Sequence, residues 1–451
     1  MDPRLTRSQQ ITICSQLGNV KLKLLYKASV HGFTGAAFHQ QCDNCFPTVS
    51  VGYNAPGYVF GGYTQQPFNQ SGQFVHDVKA FLFTFSGEKL IKYPVTNAGN
   101  AVKMVNNSGP YFGESLVLVN GSQAIVYSNP GNHYTFNAAE MHGNNLNLTE
   151  CEVYQVEARP EFEKPWRTLV WEPEKRKEMM DSIKNYKPAT GSVSQARILL
   201  IGPVGAGKSS FFNSVNSVFK GHVTSQAIAG SSTQSLTTQF RTYSLKDGRE
   251  GKPLPIVLCD TMGLEESTGS GLDIEDISSI LKGHVPNGYQ FNASAAFHAE
   301  TPGYRMSPQI KDKIHCVTYV LDAGKIPIMP VKLLEKLNAI RKKVNLLGIP
   351  QLVLLTKTDE ACPLVKEDVR NVYKSEYIKE MMQEASNRLG TPLFCVIPVR
   401  NYIEEFELDL NCDILLLSTI IQMLRLADDY FDNISNLMST MEIGKKVVVV
   451  Q

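Results

Sequence analysis

The pattern of apolar and polar positions along the chain changes at about Gln195. Before that point, short apolar or alternating runs are separated by turn residues, a pattern typical of antiparallel strands. The sequence predicts one short helix at Thr34–Cys42, and its predicted strands are Val20–Tyr26, Val49–Tyr53, Tyr58–Gly62, Ala80–Phe85, Leu116–Val119 and Cys151–Val156. We therefore expect residues 1–157 to form a β-rich domain with few helices.

From Gln195 onward, apolar strands alternate with glycine-rich turns and helical stretches. This alternation predicts a doubly wound, mostly parallel α/β sheet with helices on both faces. The predicted strands are Arg197–Ile201, Gln239–Leu245, Pro255–Asp260, His315–Asp322, Gln351–Thr356 and Leu393–Pro398, and the predicted helices are Lys208–Phe219, Pro330–Leu346, Val369–Leu389 and Leu415–Phe431. A turn at Lys246–Gly248 predicts a hairpin and hence one antiparallel edge strand. A long insertion, Gly263–Lys313, contains a single helical piece at Ile274–Lys282.

The segment between these regions carries both tryptophans, Trp166 and Trp171. Good helix formers fill its centre, Glu174–Asn185, with Pro173 at the first helical position and Pro188 beyond the end. The predicted organisation is a β-rich domain at 1–157, a linker helix at 158–190, an α/β domain at 191–437 and a C-terminal tail at 438–451.

The charge and cysteine content exclude several function classes. With a formal net charge of +1, direct binding to nucleic acid or to an anionic membrane is not expected. No apolar stretch reaches the ~18 residues of a membrane span, and the N-terminal segment lacks a signal-peptide core. The nine cysteines show neither a disulfide framework nor zinc spacing. We expect a soluble cytoplasmic protein with free thiols.

The strongest chemical signal is the segment Gly202–Ser209, which follows an apolar strand and precedes a helix. Glycines let successive backbone N–H groups converge on a phosphate, and the helix N-terminus adds a positive dipole. Lys208 would reach the outer phosphates, and Ser209 would bind Mg²⁺. The residues predicted to hold phosphate in this P-loop are Gly202, Gly205, Gly207, Lys208, Ser209 and Ser210.

A second motif, Asp260-Thr261-Met262-Gly263, follows the next predicted parallel strand. A carboxylate at this position can reach the Mg²⁺ shell, usually through water. The N–H of Gly263 could meet a γ-phosphate, so that this loop would distinguish triphosphate from diphosphate. The sequence thus predicts Ser209 and Asp260 as the metal-binding residues.

A third motif, Thr356-Lys357-Thr358-Asp359, ends another apolar strand. The carboxylate of Asp359 can accept hydrogen bonds from N1–H and N2–H₂ of guanine, whereas adenine offers no such pair of donors. The stem of Lys357 can lie along the base. This motif predicts GTP or GDP as the ligand, and a backbone N–H in Pro398–Asn401 could touch the base oxygen.

Two residues depart from the pattern of an efficient GTPase. Leu264 replaces the glutamine that orients the attacking water, and the branched Val204 would crowd a γ-phosphate. Hydrolysis is therefore expected to be slow, or to need a group from a partner or from a nucleotide-dependent dimer. The sequence assigns no catalytic residue. Thr237 and Thr238 are candidates for a switch threonine, with Thr233 as their competitor.

With these motifs in place, the sequence resembles the interferon-induced protein 44 family over nearly its whole length. The N-terminal segments that carry this resemblance are similar to a TLDc domain, a two-sheet β-sandwich in its relatives; they include Leu24–Gly32, Tyr58–Tyr63, Ala80–Phe85 and Cys151–Val156. The later segments that match the family are Pro165–Arg167, Tyr186–Pro188, Gly202–Val215 and Cys259–Gly263.

The resemblance implies an interferon-induced antiviral or innate-immune role in the cytoplasm, and a partner-binding role for the TLDc part. Three functions stay open at this point. One is a GTP-dependent switch with weak or partner-assisted hydrolysis. Another is a non-hydrolysing scaffold that acts through protein–protein contacts. The third is an ATPase, which Asp359 discriminates because ATP binding would be indifferent to Asp359→Asn.

Overall fold

The computed structural model describes residues 1–448 except 88, 228–237, 249, 267–271 and 293–295, and for residues 437–448 it describes the backbone alone. The chain divides into two units, Met1–Pro160 and Glu161–Gln451. Both helices and strands are present, so the expected mixed α/β class is confirmed.

The first unit is built on a six-stranded antiparallel sheet with the order β1-β11-β2-β3-β5-β6. A three-stranded sheet has the order β10-β9-β8, and β4 pairs with β7. The strands are β1 Val20–Lys27, β2 Thr48–Asn54, β3 Val59–Thr64, β4 Phe74–Val75, β5 Phe81–Ser86, β6 Lys89–Pro94, β7 Val102–Lys103, β8 Tyr111–Phe112, β9 Leu116–Val117, β10 Tyr127–Ser128 and β11 Leu148–Ala158. The helices are α1 Arg7–Leu17, α2 Ala28–His31, α3 Gly35–Cys42 and α4 Ala138–His142, with a 3₁₀ turn at Ala98–Asn100.

Two apolar clusters form the core of this unit. One contains Phe38, Phe60 and Phe112, and the other contains Val51 and Phe83 together with Ile13 of helix α1. The sequence reading missed helix α1, because Ile13 is its one buried residue and its pattern of apolar positions is weak. A capping box signals this helix, since the Thr6 hydroxyl accepts from the backbone N–H of Gln9 and the Gln9 side chain accepts from the N–H of Thr6.

The second unit is built on a six-stranded sheet with the order β13-β14-β12-β15-β16-β17. Its strands are β12 Ala196–Ile201, β13 Arg241–Lys246, β14 Pro253–Asp260, β15 Cys316–Asp322, β16 Gln351–Thr356 and β17 Val396–Pro398. Its helices are α5 Pro173–Lys184, α6 Lys208–Lys220, α7 Ile274–Leu281, α8 Val331–Leu346, α9 Thr358–Ala361, α10 Pro363–Glu367, α11 Glu376–Leu389 and α12 Leu410–Val448. All strand pairs are parallel except β13 with β14, so the antiparallel edge strand predicted from the Lys246–Gly248 turn is confirmed.

Three predicted element bounds are corrected. The helix predicted at Val369–Leu389 is a 3₁₀ turn, Val369–Tyr373, followed by α11, because the Ser375 hydroxyl accepts from the N–H of Ile378 and begins a new helix. The strand predicted at Leu393–Pro398 starts as a 3₁₀ turn and becomes β17 only at Val396. The helix predicted at Leu415–Phe431 is α12, which begins at Leu410 and continues to Val448.

Helix α5 packs against helix α12 and so belongs to the second unit. The Arg176 guanidinium donates to the Asp413 carboxylate at 2.7 Å, and the Tyr186 hydroxyl donates to Asp428 at 2.6 Å. Backbone pairing extends this attachment towards the N-terminus, since Phe162 N–H donates to the carbonyl of Lys374 at 2.9 Å. The segment after residue 160 is therefore an integral part of the α/β fold.

Among the described residues, one helical segment, Leu410–Asn436, has the length and apolar composition of a membrane crossing. Of its most apolar stretch of 18 residues, 61% is buried within the protein. Ile414, Leu417 and Ile420 lie in the core of the second unit. Packing in the core accounts for the apolar character of this helix.

Candidate functional site

The predicted motifs meet at one edge of the parallel sheet. The P-loop follows β12, Asp260 ends β14, Thr356 ends β16, and residues 399–401 follow β17. Because parallel strands end at the same edge, these loops surround one crevice at the carboxyl ends of the strands, where α/β sheets bind ligands.

The P-loop has the backbone that its glycines allow. Gly205 and Gly207 have positive φ angles of 72° and 91°, which glycine adopts at little cost, and helix α6 begins at Lys208. The Lys208 ammonium donates to the carbonyls of Gly202 and Pro203, both at 3.0 Å. Burial lowers the pKa of Lys208 to about 8, and the opposing effect of the Asp260 charge is smaller. The ammonium is thus poorly solvated, and a phosphate beside it would stabilise its charge.

Ser209 and Asp260 come together as predicted for a metal site. The Ser209 hydroxyl donates to Asp260 Oδ2 at 2.5 Å, and Asp260 is fully buried. Among the described residues, no group of three or more His, Cys, Asp or Glu side chains could hold a metal ion. A hydroxyl beside one carboxylate is nevertheless the protein ligand set that suits Mg²⁺ when phosphate and water fill its other positions. The two residues therefore fit the ion that the sequence predicts.

Thr356 fixes the P-loop to strand β16. Its buried hydroxyl lies 2.6 Å from the carbonyl oxygen of Ala206 and 3.2 Å from that of Leu321. An ideal Cβ on Gly207 would lie 3.5 Å from the Thr356 side chain, so the loop packs closely on this residue. The first residue of the third motif thus acts by holding the P-loop in place.

The other two residues of this motif are held by ion pairs. Lys357 has a left-handed backbone with a φ of 56°, and its ammonium lies 3.4 Å from Asp322 at the end of β15. Asp359 Oδ2 lies 3.5 Å from Nε of Arg400, in the loop after β17. Sequence reasoning missed the Asp322 and Arg400 side chains. Asp322 could have been found because it is a second aspartate that ends an apolar strand of this sheet.

Asn401 connects this loop to the phosphate end of the crevice. Its amide nitrogen lies 3.4 Å from the Gly207 carbonyl, and its side-chain oxygen is buried with no hydrogen-bond partner among the described residues. An unpaired buried acceptor beside a P-loop indicates a place where a donor from a bound group would be favoured.

The Asp-x-x-Gly segment is joined to the P-loop by its backbone. Val204 N–H donates to the Leu264 carbonyl at 3.2 Å, and Leu264 N–H donates to the Gly202 carbonyl at 3.0 Å. An ideal Cβ on Gly263 would lie only 2.6 Å from Cγ2 of Val204, so this contact requires glycine. The Leu264 side chain is 2% exposed and lies in the apolar core. Leu264 is thus directed away from the place where a water-orienting glutamine would act.

The switch threonine stays a prediction. Thr233 and Thr237 lie outside the described residues. Thr238 is described and exposed, and it bonds with Gln290, whose amide donates to the Thr238 carbonyl at 3.0 Å.

Comparison with known proteins gives matches to both units. Residues 3–157 match the TLDc domain. The human protein named interferon-induced protein 44-like is 36% identical over 444 residues, covering 96% of this chain and 95% of that protein. Human interferon-induced protein 44 is 33% identical over 431 residues, covering 96% of this chain and 94% of that protein.

A comparison with solved structures finds a crystal structure of Aquifex aeolicus Era bound to GDP.AlF4-. It covers 52% of this chain and 57% of that one, with 12% identity and a TM-score of 0.30. This similarity is too low to bear on function.

Proposed function

The chain belongs to the interferon-induced protein 44 family, and from this premise we propose that its second unit binds GDP and GTP with Mg²⁺. The protein acts as an interferon-induced guanine-nucleotide-binding protein of the cytoplasm in antiviral or innate immune defence. Its nucleotide turnover is slow or depends on a partner.

One observation carries the proposal: the predicted phosphate, metal and base residues are connected by short contacts. Thr356 holds the P-loop through Ala206, and Ser209 bonds to Asp260. The loop after β17 reaches Gly207 through Asn401 and Asp359 through Arg400. A decayed nucleotide site is under no constraint to keep these contacts, so their presence supports a working pocket.

Mg²⁺ would be held by the Ser209 hydroxyl and, directly or through water, by the Asp260 carboxylate. When bound, the ion would neutralise phosphate charge. Lys208 would supply a second positive charge from the P-loop, and Asp359 would select guanine. These four side chains bind and orient the nucleotide, and none of them activates water.

The second candidate function, a non-hydrolysing scaffold, is favoured by Leu264. This side chain has no hydrogen-bonding group and lies in the core, so it cannot orient an attacking water. Val204 occupies the space beside Gly263. A nucleotide-dependent dimer that supplies the missing group remains part of the proposal.

We assign partner binding to the TLDc unit, for which a two-sheet sandwich remains the expected architecture. Its three-stranded sheet packs Phe112 and Leu116 into the same apolar cluster as Phe60 of the large sheet. The unit would act as a protein-binding module.

The proposed binding is tested with a fluorescent GDP analogue, purified full-length chain and Mg²⁺, with unlabelled GTP, GDP and ATP as competitors. We expect GTP and GDP to compete and ATP to fail. Lys208→Ala should weaken binding by about 100-fold or more, because the proposal assigns the buried Lys208 ammonium to the outer phosphates.

The matched control is Lys175→Ala, which removes an ammonium 2.8 Å from Glu178 on helix α5 and should leave GDP affinity unchanged. The absence of GDP binding at high nucleotide concentration would overturn the proposal. The scaffold function would then be pursued through protein partners.

A further inference from the structure

We propose that Arg400 is a specificity-determining positioning residue, which holds the Asp359 carboxylate in the orientation that reads the guanine edge. The inference rests on the proposed function, since it concerns how the same site selects its base. It assigns a role to a side chain that lies outside all three sequence motifs.

The Asp359 side chain is mostly buried, and its carboxylate pairs with the Arg400 guanidinium. It lies in α9, a helix of only four residues, and is 20% exposed. A carboxylate that must accept two parallel hydrogen bonds from N1–H and N2–H₂ needs a defined rotation about its side-chain bonds. The ion pair with Arg400 is the contact that restricts this rotation, with Nε 3.5 Å from Oδ2.

A second carboxylate, that of Glu405, holds the Arg400 guanidinium in place. One of its terminal nitrogens, Nη2, donates to Oε1 of Glu405. The other oxygen of Glu405 accepts the backbone N–H groups of Ile403 and Glu404, at 2.8 and 3.1 Å. A connected series of contacts therefore runs from the backbone of this loop through Glu405 and Arg400 to Asp359.

The arrangement leaves Asp359 able to bind a base. Each carboxylate oxygen has two lone pairs, so Arg400 on one side of Oδ2 leaves three acceptor positions on the carboxylate. The guanidinium is a planar fork that can keep two carboxylates in fixed relative positions. Arg400 can therefore keep its ion pair with Asp359 while the carboxylate binds the base.

The experiment compares GDP with IDP, whose base lacks the 2-amino group and can make only one of the two hydrogen bonds to Asp359. In the unmutated chain we expect GDP to bind about tenfold more tightly than IDP. Arg400→Ala should weaken GDP binding by about tenfold and IDP binding less, so that the preference shrinks to about threefold or below. Arg400→Lys should keep only part of the preference for GDP, since an ammonium lacks the planar fork of a guanidinium.

A double-mutant cycle separates this role from simple loop stabilisation. In an Asp359→Ala background, Arg400→Ala should have no further effect on GDP affinity. The matched control is Arg370→Ala, which breaks an exposed arginine–aspartate pair with Asp368 at 2.7 Å and should change neither affinity nor preference. Thermal unfolding of each variant checks that the fold is kept.

The outcomes distinguish the inference from the function on which it rests. If the unmutated chain binds GDP and Arg400→Ala leaves the GDP-to-IDP preference intact, the inference is overturned and the proposed function stands. The inference is also overturned if Arg400→Ala lowers the GDP and IDP affinities equally, or if it lowers GDP affinity further in the Asp359→Ala background. Arg400 would then act by stabilising the loop. No GDP binding by the unmutated chain overturns both.

Discussion

The predicted base end and the predicted γ-phosphate end of the candidate site differ in their contacts. At the base end, Asp359 pairs with Arg400, and the Thr356 hydroxyl contacts the Ala206 carbonyl in the P-loop. At the γ-phosphate end, Val204 fills the space beside Gly263, and Leu264 is buried and bonded to Gly202. The proposed nucleotide binding therefore depends on the base end, and the proposed slow hydrolysis depends on the γ-phosphate end.

In the proposed function, binding and turnover depend on separable parts of one fold. The proposed binding needs donors, a cation and a base-reading carboxylate, and the residues predicted for these roles lie at the edge of the sheet. Turnover needs in addition a group that places water, and here the corresponding residue contributes to the apolar core. Two substitutions and a change of pH test this comparison.

The largest expected effect is a change of base specificity with Asp359→Asn. An asparagine amide can donate to the 2-oxo group of xanthine but cannot accept both guanine donors, so GDP affinity should fall by about 100-fold while XDP affinity rises. Competition against a fluorescent nucleotide measures both. Asp368→Asn, at an exposed ion pair, serves as the control. Equal affinities for GDP before and after the Asp359 change would show that the base end does not read guanine.

A smaller effect is expected at the γ-phosphate end with Leu264→Gln. The buried amide would lack partners, so the unit should lose about 2 kcal/mol of stability, and GTP hydrolysis should stay slow. Thermal unfolding and single-turnover hydrolysis measure the two quantities. Leu264→Met, which keeps an apolar side chain of similar size, should unfold near the original temperature. If Leu264→Gln kept its stability and hydrolysed GTP tenfold faster, position 264 could orient water, and the core role given to Leu264 would be wrong.

The smallest effect is the pH dependence of nucleotide affinity. Burial lowers the pKa of Lys208 to about 8, and a bound phosphate would raise it, so binding above that pH requires proton uptake. Affinity should be constant below the free-state pKa and should fall by about fourfold from about pH 7 to about pH 8.5. Calorimetry in buffers of different ionisation enthalpy measures the proton uptake. Its absence would mean that Lys208 does not contact the phosphates.

The sequence could place the three motifs at one edge of a sheet because each motif follows a predicted strand. Apolar strands that end at Ile201, Asp260 and Thr356 place the loops at one edge of a parallel sheet, and this placement follows from topology. The GTP-specific roles of these residues stay predictions. The predicted bounds of the linker helix at 158–190 and of the C-terminal tail at 438–451 also stay predictions. Helix α12 extends past residue 437, the predicted end of the α/β domain.

What the sequence could not predict depends on tertiary contacts. The ion pair between Asp359 and Arg400 joins residues 41 positions apart, and no local pattern encodes it. The burial of Leu264 depends on backbone bonds to the P-loop. Helix α1 was missed for a different reason, since its signal lies in the capping box at Thr6 and Gln9 and not in its apolar periodicity.

The attachment of residues 161–190 to helix α12 determines where the chain can be cut for separate expression. A fragment that begins at strand β12 would lose Arg176, the partner of an Asp413 side chain that is 2% exposed, and would uncover the apolar surface under Met179 and Ile183. Such a fragment should aggregate, whereas a fragment that begins at Glu161 retains helix α5, which covers this apolar surface. Proteolysis sites and recombinant boundaries are therefore best sought between Ala158 and Glu161, ahead of both tryptophans.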